Sequence, residues 1–280
     1  MAGQSQREIR RRIRSVRSTQ HITRAMQVVS AAKLRRVQGQ KEAVAPFARK
    51  LEEVLERLVG AAGKHPLLQK RELGSVSYLV LSADHGLAGG YNLKVTDWAV
   101  EVLRQEKHPY DLHVVGRKAT EDFRARGLSI AAEYAGIGDD VDWHDTCQLA
   151  EQLRQSFLTG ETDAVYVVFT ESVNVMAYRP TVRQLIPVES LPGGSSAKES
   201  TEMIFEPSPA EVLDVLLPRH MDTSLYLALL EAKISEHGAR TVAMRQATDN
   251  AEEMIETLTL SLNQARQAGI TKEISEIVGG

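Results

Sequence analysis

The stretch Ser82–Asn92, reading SADHGLAGGYN, gathers the residues best suited to chemistry in this 280-residue chain. It follows a short apolar run and precedes a helical one. A glycine-rich turn in that setting can cradle a phosphate on its backbone N–H groups. Two features argue against it. The spacing is not GxGxxG, and no GK[ST] ending brings a lysine to a terminal phosphate. The plainer reading is a tight turn that lets helix and sheet pack closely, with Asp84, Gly86, Gly89 and Gly90 as structural positions. Asp84 beside His85 is an acid–base pair, but no nucleophile is evident in the loop to use it. His21, His85 and His237 are scattered, and no two stand at i, i+4, which argues against a metal site. Cys147 is the single cysteine. It excludes an internal disulfide or a multi-thiolate zinc site and reads as a small buried hydrophobe in a reducing compartment. No catalytic, cofactor-binding or metal-ligating set emerges.

The elements around that loop alternate. Val76–Ser82 is a strand-type run and Asn92–Gln105 a helix. Leu112–Val115, Leu128–Tyr134 and Ala164–Thr170 read as strands, separated by helices at Lys118–Arg126 and Thr146–Leu158. This order predicts a mainly parallel sheet covered by helices, a Rossmann-like α/β domain over 61–208. Val175–Val188 reads as an antiparallel edge segment and 190–202 as a flexible loop.

Both ends of the chain are helical. Residues 5–58 and 219–277 would each run on the order of 80 Å at 1.5 Å per residue, far longer than an average helix. In the first arm the apolar positions are Ile9, Ile13 and Val16, then Ile22, Met26 and Val29, then Val44, Phe47, Leu51, Val54 and Leu58. Gly60, Gly63 and Pro66 end it. In the second, a short helix at Glu211–Leu217 precedes a bend or helix start at Pro218. From there one seam runs in steps of four and three: Leu230, Ile234, His237, Thr241, Met244, Thr248, Ala251, Ile255, Leu258, Leu262, Ala265. That 3.5-residue period predicts a left-handed supercoil with a partner helix. The domain organisation expected is an N-terminal helix over 1–60, the α/β domain, and a C-terminal helix over 209–280 pairing with 1–60 as an antiparallel coiled coil.

Charge supports that pairing. The net charge is −3, but between Arg7 and Lys41 the only acid is Glu8, whereas Glu231, Glu236, Asp249, Glu252, Glu253, Glu256, Glu273 and Glu276 lie in the last third. A basic arm invites a nucleic-acid reading. The arm lacks aromatic residues until Phe47, and its apolar residues interleave with the arginines at helical spacing, so a charged face of a packed helix is favoured. No apolar run approaches the ~20 residues that span a bilayer, and the N-terminus has no apolar core of a secretory signal.

Three stretches carry a resemblance: HITRAMQVVSAAKLRRVQ (His21–Gln38), the glycine loop, and the run from Ser235 to Gly280 ending ITKEISEIVGG. Together they resemble the gamma subunits of F-type ATP synthases, and the similarity extends over essentially the whole chain. Where that family usually has arginine in the glycine loop, this chain has His85. No cysteine-bearing regulatory insertion of the chloroplast type is present. The resemblance implies a non-catalytic rotor shaft without cofactors. Its terminal helices would turn inside a hexamer of alpha and beta subunits, its α/β body meeting the epsilon subunit and the c-ring, at the cytoplasmic face of a bacterial plasma membrane. It implies beta-subunit contacts for Met26, Arg266, Gln267, Thr271 and Glu273. Ile270, Ile274 and Ile277 would form an apolar tip in the sleeve of the head. The alternative reading is a Rossmann-like nucleotide-dependent enzyme with a coiled-coil dimerisation arm.

Overall fold

The computed structural model describes residues 6–62, 65–134, 141–174, 177–188 and 205–279. Its elements are α1 (Gln6–Ala62), a single 3₁₀ turn (Pro66–Leu68), β1 (Val76–Leu81), α2 (Tyr91–Gln105), β2 (Tyr110–Val115), α3 (Arg117–Ala125), β3 (Ala132–Tyr134), α4 (Trp143–Thr159), β4 (Ala164–Asn174), β5 (Ala177–Ile186) and α5 (Pro209–Val278). The chain forms two compact units, one of residues 33–239 and one of residues 1–32 with 240–280.

In the 33–239 unit the sheet has the strand order β3-β2-β1-β4-β5. The first four strands run parallel and β5 is antiparallel to β4, as the alternation predicted. The central strand β1 is buried on both faces, which explains its near-continuous apolar run VSYLVL. One face packs Val76, Tyr78, Val80 and Val168 against Val95, Ala99 and Leu103 of α2 and Phe123 of α3. The other packs Leu79, Leu81, Val167 and Phe169 against α4 through Leu149, Leu153 and Phe157. The same cluster takes in Leu34, Val37, Leu51, Leu55 and Leu58 of α1 and Leu213, Leu217, Met221 and Leu225 of α5. Each such leucine contributes roughly 1.5–3 kcal/mol, so both long helices are anchored in the core of this unit.

Some boundaries differ from the sequence reading, each for a local reason. The third strand is only Ala132–Tyr134; it follows a turn in which Gly127 takes a φ of +75°, and Ala131 makes the first bond to β2, at 2.8 Å to the Leu112 carbonyl. Pro218 lies inside α5 rather than at its start. The start is set by Ser208-Pro-Ala-Glu211: the Ser208 hydroxyl accepts from the Glu211 N–H at 3.3 Å and donates to the Glu211 carboxylate at 2.8 Å, an N-cap with proline at the first helical position. The bond Pro218 cannot make is to the carbonyl of Asp214, an exposed residue, so the helix forgoes it where solvent is at hand. The expected loop over 190–202 and Gly63 lie outside the described residues.

Candidate functional site

In the unit of residues 1–32 and 240–280, the two helices are tied by named bonds. The Gln6 side-chain amide donates to the Ala265 carbonyl at 3.4 Å. The hydroxyls of Thr23 and Thr248 meet at 2.8 Å, both residues buried. Thr23 lies 17 residues after Gln6 and Thr248 lies 17 before Ala265, so the helices run antiparallel and in step. That register sets Ile9 opposite Leu262, Ile13 opposite Leu258, Val16 opposite Ile255, Gln20 opposite Ala251 and Gln27 opposite Met244. The α5 seam expected from sequence is buried or half-buried throughout this unit. Thr248 also donates to the Met244 carbonyl at 2.8 Å. Thr23 reaches the Gln20 carbonyl at 3.1 Å. Two protons cannot fill three bonds, so the shorter geometry assigns Thr248 to Met244 and Thr23 to Thr248.

The α1 side of the seam departs from the sequence reading. Thr23 and Ser30 occupy it, while Ile22 (58% exposed) and Val29 (55%) face outward. Met26 is half-buried on that same flank. Farther along α1, Phe47 is exposed while Ala48 and Leu55 are buried. The physical reason is register: steps of three and four from Ile9 and Ile13 reach Thr23 and Ser30, and shifting to the larger side chains would break the heptad. The outcome is an apolar stripe of Ile22, Met26 and Val29 beside the seam.

On α5, Arg266, Gln267 and Thr271 are exposed. They flank Ala265 and Gly269, the latter so close to Gln6 that a Cβ there would stand 3.3 Å from the Gln6 amide nitrogen. Ile270 (45% exposed), Ile274 (56%) and Ile277 (81%) share one helical face beyond that last contact. Glu273 lies on α5 outside the residues whose side chains are described.

The glycine loop, in the other unit, is consumed by the fold. The backbone N–H groups that open α3 are each taken: Arg117 donates to Asp84 Oδ1 at 3.1 Å, Lys118 to the Ala83 carbonyl at 3.0 Å and Ala119 to Ser82 Oγ at 3.1 Å. Those are the donors that would otherwise hold an anion, and the Asp84 carboxylate sits where the helix dipole favours it. Gly116 lies against this loop with φ +98°, and a Cβ there would meet the Ser82 carbonyl oxygen at 2.5 Å. Gly89 takes φ +56°, and Gly90 caps α2 and accepts from the Lys94 N–H. Gly86 and Gly89 edge an open cleft of about 400 Å³ beside Leu93 and the Lys118–Glu121 pair.

The crevice beyond β1 and β4, where strand order reverses and Rossmann-like folds place a nucleotide, is crossed by α5. The buried Tyr91 hydroxyl donates to the Ala232 carbonyl at 3.1 Å, and Ser235 donates to the Thr170 carbonyl at 3.1 Å. Glu231 joins α5 to both neighbours, pairing with Lys41 and accepting from the Ser172 N–H. Among the described residues no three His, Cys, Asp or Glu side chains are placed to share a metal ion. Burial, more than the Asp222 carboxylate beside it, pushes the Cys147 thiol up, away from a reactive thiolate.

Comparison with known proteins decides the kinship. A family model described as ATP synthase matches residues 5–280. The ATP synthase gamma chain of Desulforamulus reducens is 46% identical over 278 residues, covering 99% of this chain and 98% of that one. This chain belongs to the ATP synthase gamma chain family. The gamma chain of Moorella thermoacetica is 47% identical over 276 residues, with 98% of this chain and 97% of the relative covered. The fold also matches a rotor chain of the Euglena gracilis mitochondrial ATP synthase at 14% identity, with a TM-score of 0.64 over 95% of this chain and 98% of that one. A central stalk/c-ring chain from Tetrahymena thermophila gives 0.61 at 21% identity, over 81% and 99%.

Sequence reasoning placed the α5 seam and, on α1, the buried Ile9, Ile13, Leu51 and Leu58, but it took Ile22, Val29 and Phe47 where Thr23, Ser30 and Ala48 are buried. Thr23, Ser30 and Leu55 were findable by running unbroken three–four steps from Ile9. The capping of α3 by Ser82 and Asp84 had no sequence signal, because it depends on two loops meeting.

Proposed function

We propose that this chain is the gamma subunit of an F-type ATP synthase, a non-catalytic shaft turning within the alpha/beta hexamer. Its rotation couples ion flow through the c-ring to ATP synthesis or hydrolysis. Helical segments 1–60 and 209–280 form the shaft, and the α/β body of 61–208 meets epsilon and the ring at the cytoplasmic face of the membrane. Among the described residues no helix is long and apolar enough to cross a membrane, which fits a peripheral seat.

The observation that carries this reading is the in-step antiparallel pairing through Gln6–Ala265 and Thr23–Thr248, with apolar side chains left outside it. Uncovered apolar residues of this kind mark an interface. Met26, Arg266, Gln267, Thr271 and Glu273 serve as contacts to beta. Arginine suits carboxylate-bearing loops because its planar fork bonds them in pairs, and methionine tolerates sliding contact. Ile270, Ile274 and Ile277 seat the end of α5 in an apolar sleeve. Shaft orientation acts on each beta subunit as a ligand acts on a two-state protein, favouring one conformation by differential contact.

The nucleotide-enzyme alternative loses support at the crevice beyond β1 and β4, which α5 crosses through the Tyr91–Ala232 and Ser235–Thr170 bonds. Affinity isolation from membranes followed by subunit identification tests the proposal. Recovery of alpha, beta and epsilon in fixed proportion is expected. A free monomer beside an ATPase that assembles without it would overturn the reading.

A further inference from the structure

Where α1, α5 and the β4–β5 hairpin meet in the 33–239 unit there is a niche of about 10 Å³, room for the centre of one water molecule. Its deep wall is apolar, Leu34 and Ile234. The rest is polar, with Gln38 from α1, Ser235 from α5, and Ser172, Tyr178 and Asn174 from the hairpin, the Asn174 Oδ1 already accepting from the Ala177 N–H at 2.8 Å.

The hydrogen-bonding capacity of these groups is uneven. The Ser235 proton is committed to the Thr170 carbonyl at 3.1 Å and the Ser172 proton to the Asn174 carbonyl at 3.2 Å. Each serine oxygen therefore faces the niche as an acceptor only. The Tyr178 hydroxyl and the Gln38 amide have no hydrogen-bond partner among the described residues, and both can donate. Two acceptors and two donors around a space for one oxygen atom match a molecule that donates twice and accepts twice. An anion would face the serine lone pairs.

We propose that this niche binds one ordered water, which joins α1, α5 and the hairpin through Gln38, Ser235, Ser172 and Tyr178. The water supplies, at this junction, the polar contacts that side chains of fixed length do not make directly. It holds the hairpin to the helices independently of the Glu231 contacts beside it.

A high-resolution structure of the full chain in its complex tests this directly. One density peak with hydrogen-bond distances to the Ser235 hydroxyl and the Gln38 amide is expected. An empty niche, or a rotated side chain filling it, would overturn the proposal. An anomalous peak there after rubidium exchange would identify a monovalent cation and overturn it equally. Hydrogen exchange gives a second readout. Tyr178→Phe and Gln38→Leu should each speed exchange of the hairpin amides over 171–174 and 177–179 about tenfold. Lys94→Gln, which removes the cation 4.8 Å above the Tyr178 ring but leaves the niche intact, should not. Unchanged exchange in both niche variants would contradict the assignment.

Discussion

Thr23 and Thr248 share two hydroxyl protons among three contacts, and that arithmetic makes them a pair rather than two independent threonines. Thr23→Val removes the proton that bridges the helices and leaves Thr248 bonded within its own helix. We expect it to cost about 1 kcal/mol. The double variant with Thr248→Val should cost less than the two singles added, with a coupling of about 0.5–1 kcal/mol, measured by denaturant unfolding in a double-mutant cycle. Additive losses would mean that the hydroxyls do not interact. Glu106 makes a second residue-scale claim. Burial alone would raise its carboxyl. The Tyr78 hydroxyl at 2.6 Å and contacts from His108 and Lys107 outweigh that and hold it at about 2. A carboxylate depressed in the fold stabilises it above its unfolded value, and that contribution is lost as pH falls. The loss should run from the ordinary value of 4.5 down to about 2. Glu106→Gln should therefore lower stability at neutral pH and flatten its acid dependence across that window. A parallel pH profile would contradict the assignment.

At the level of elements, the glycine loop serves as an acceptor that caps α3. Three N–H groups at the start of α3 are filled by Asp84, Ala83 and Ser82, and Gly116 permits the close approach. Gly116→Ala combines an unfavourable φ with a backbone collision at 2.5 Å. It should destabilise the sheet unit by roughly 3 kcal/mol or more, visible as a large fall in melting temperature. Asp84→Ala removes only a cap and should cost about 1 kcal/mol. The mainly parallel sheet, the antiparallel edge and the α5 seam were legible in the sequence because periodicity and element succession are local properties. The α1 seam was less so. The large side chains Ile22, Val29 and Phe47 lie outside the seam and the small Thr23, Ser30 and Ala48 lie within it, so at those turns hydrophobicity alone points to the wrong face. Helix register and the meeting of two loops are long-range facts, and neither leaves a spacing to read.

For the molecule as a whole, the proposed shaft role turns on what its exposed residues do in an assembly. Met26→Lys places a cation on the apolar flank of Ile22 and Val29 without entering the seam. In the assembled enzyme it should impair proton pumping more than ATP hydrolysis, and equal losses of both would count against a coupling role. Ile274 and Ile277 are already exposed in the isolated chain, so replacing both by Asp should leave its own stability nearly unchanged and weaken assembly with the hexamer.

The central claim is that this chain turns while its neighbours hold nucleotide. Alpha and beta subunits assembled with it can be fixed to a surface, a probe attached to its α/β body, and ATP added. The account predicts unidirectional rotation that stops when ATP is exhausted. Sustained ATP hydrolysis with the probe stationary, or with only undirected fluctuation, would contradict it.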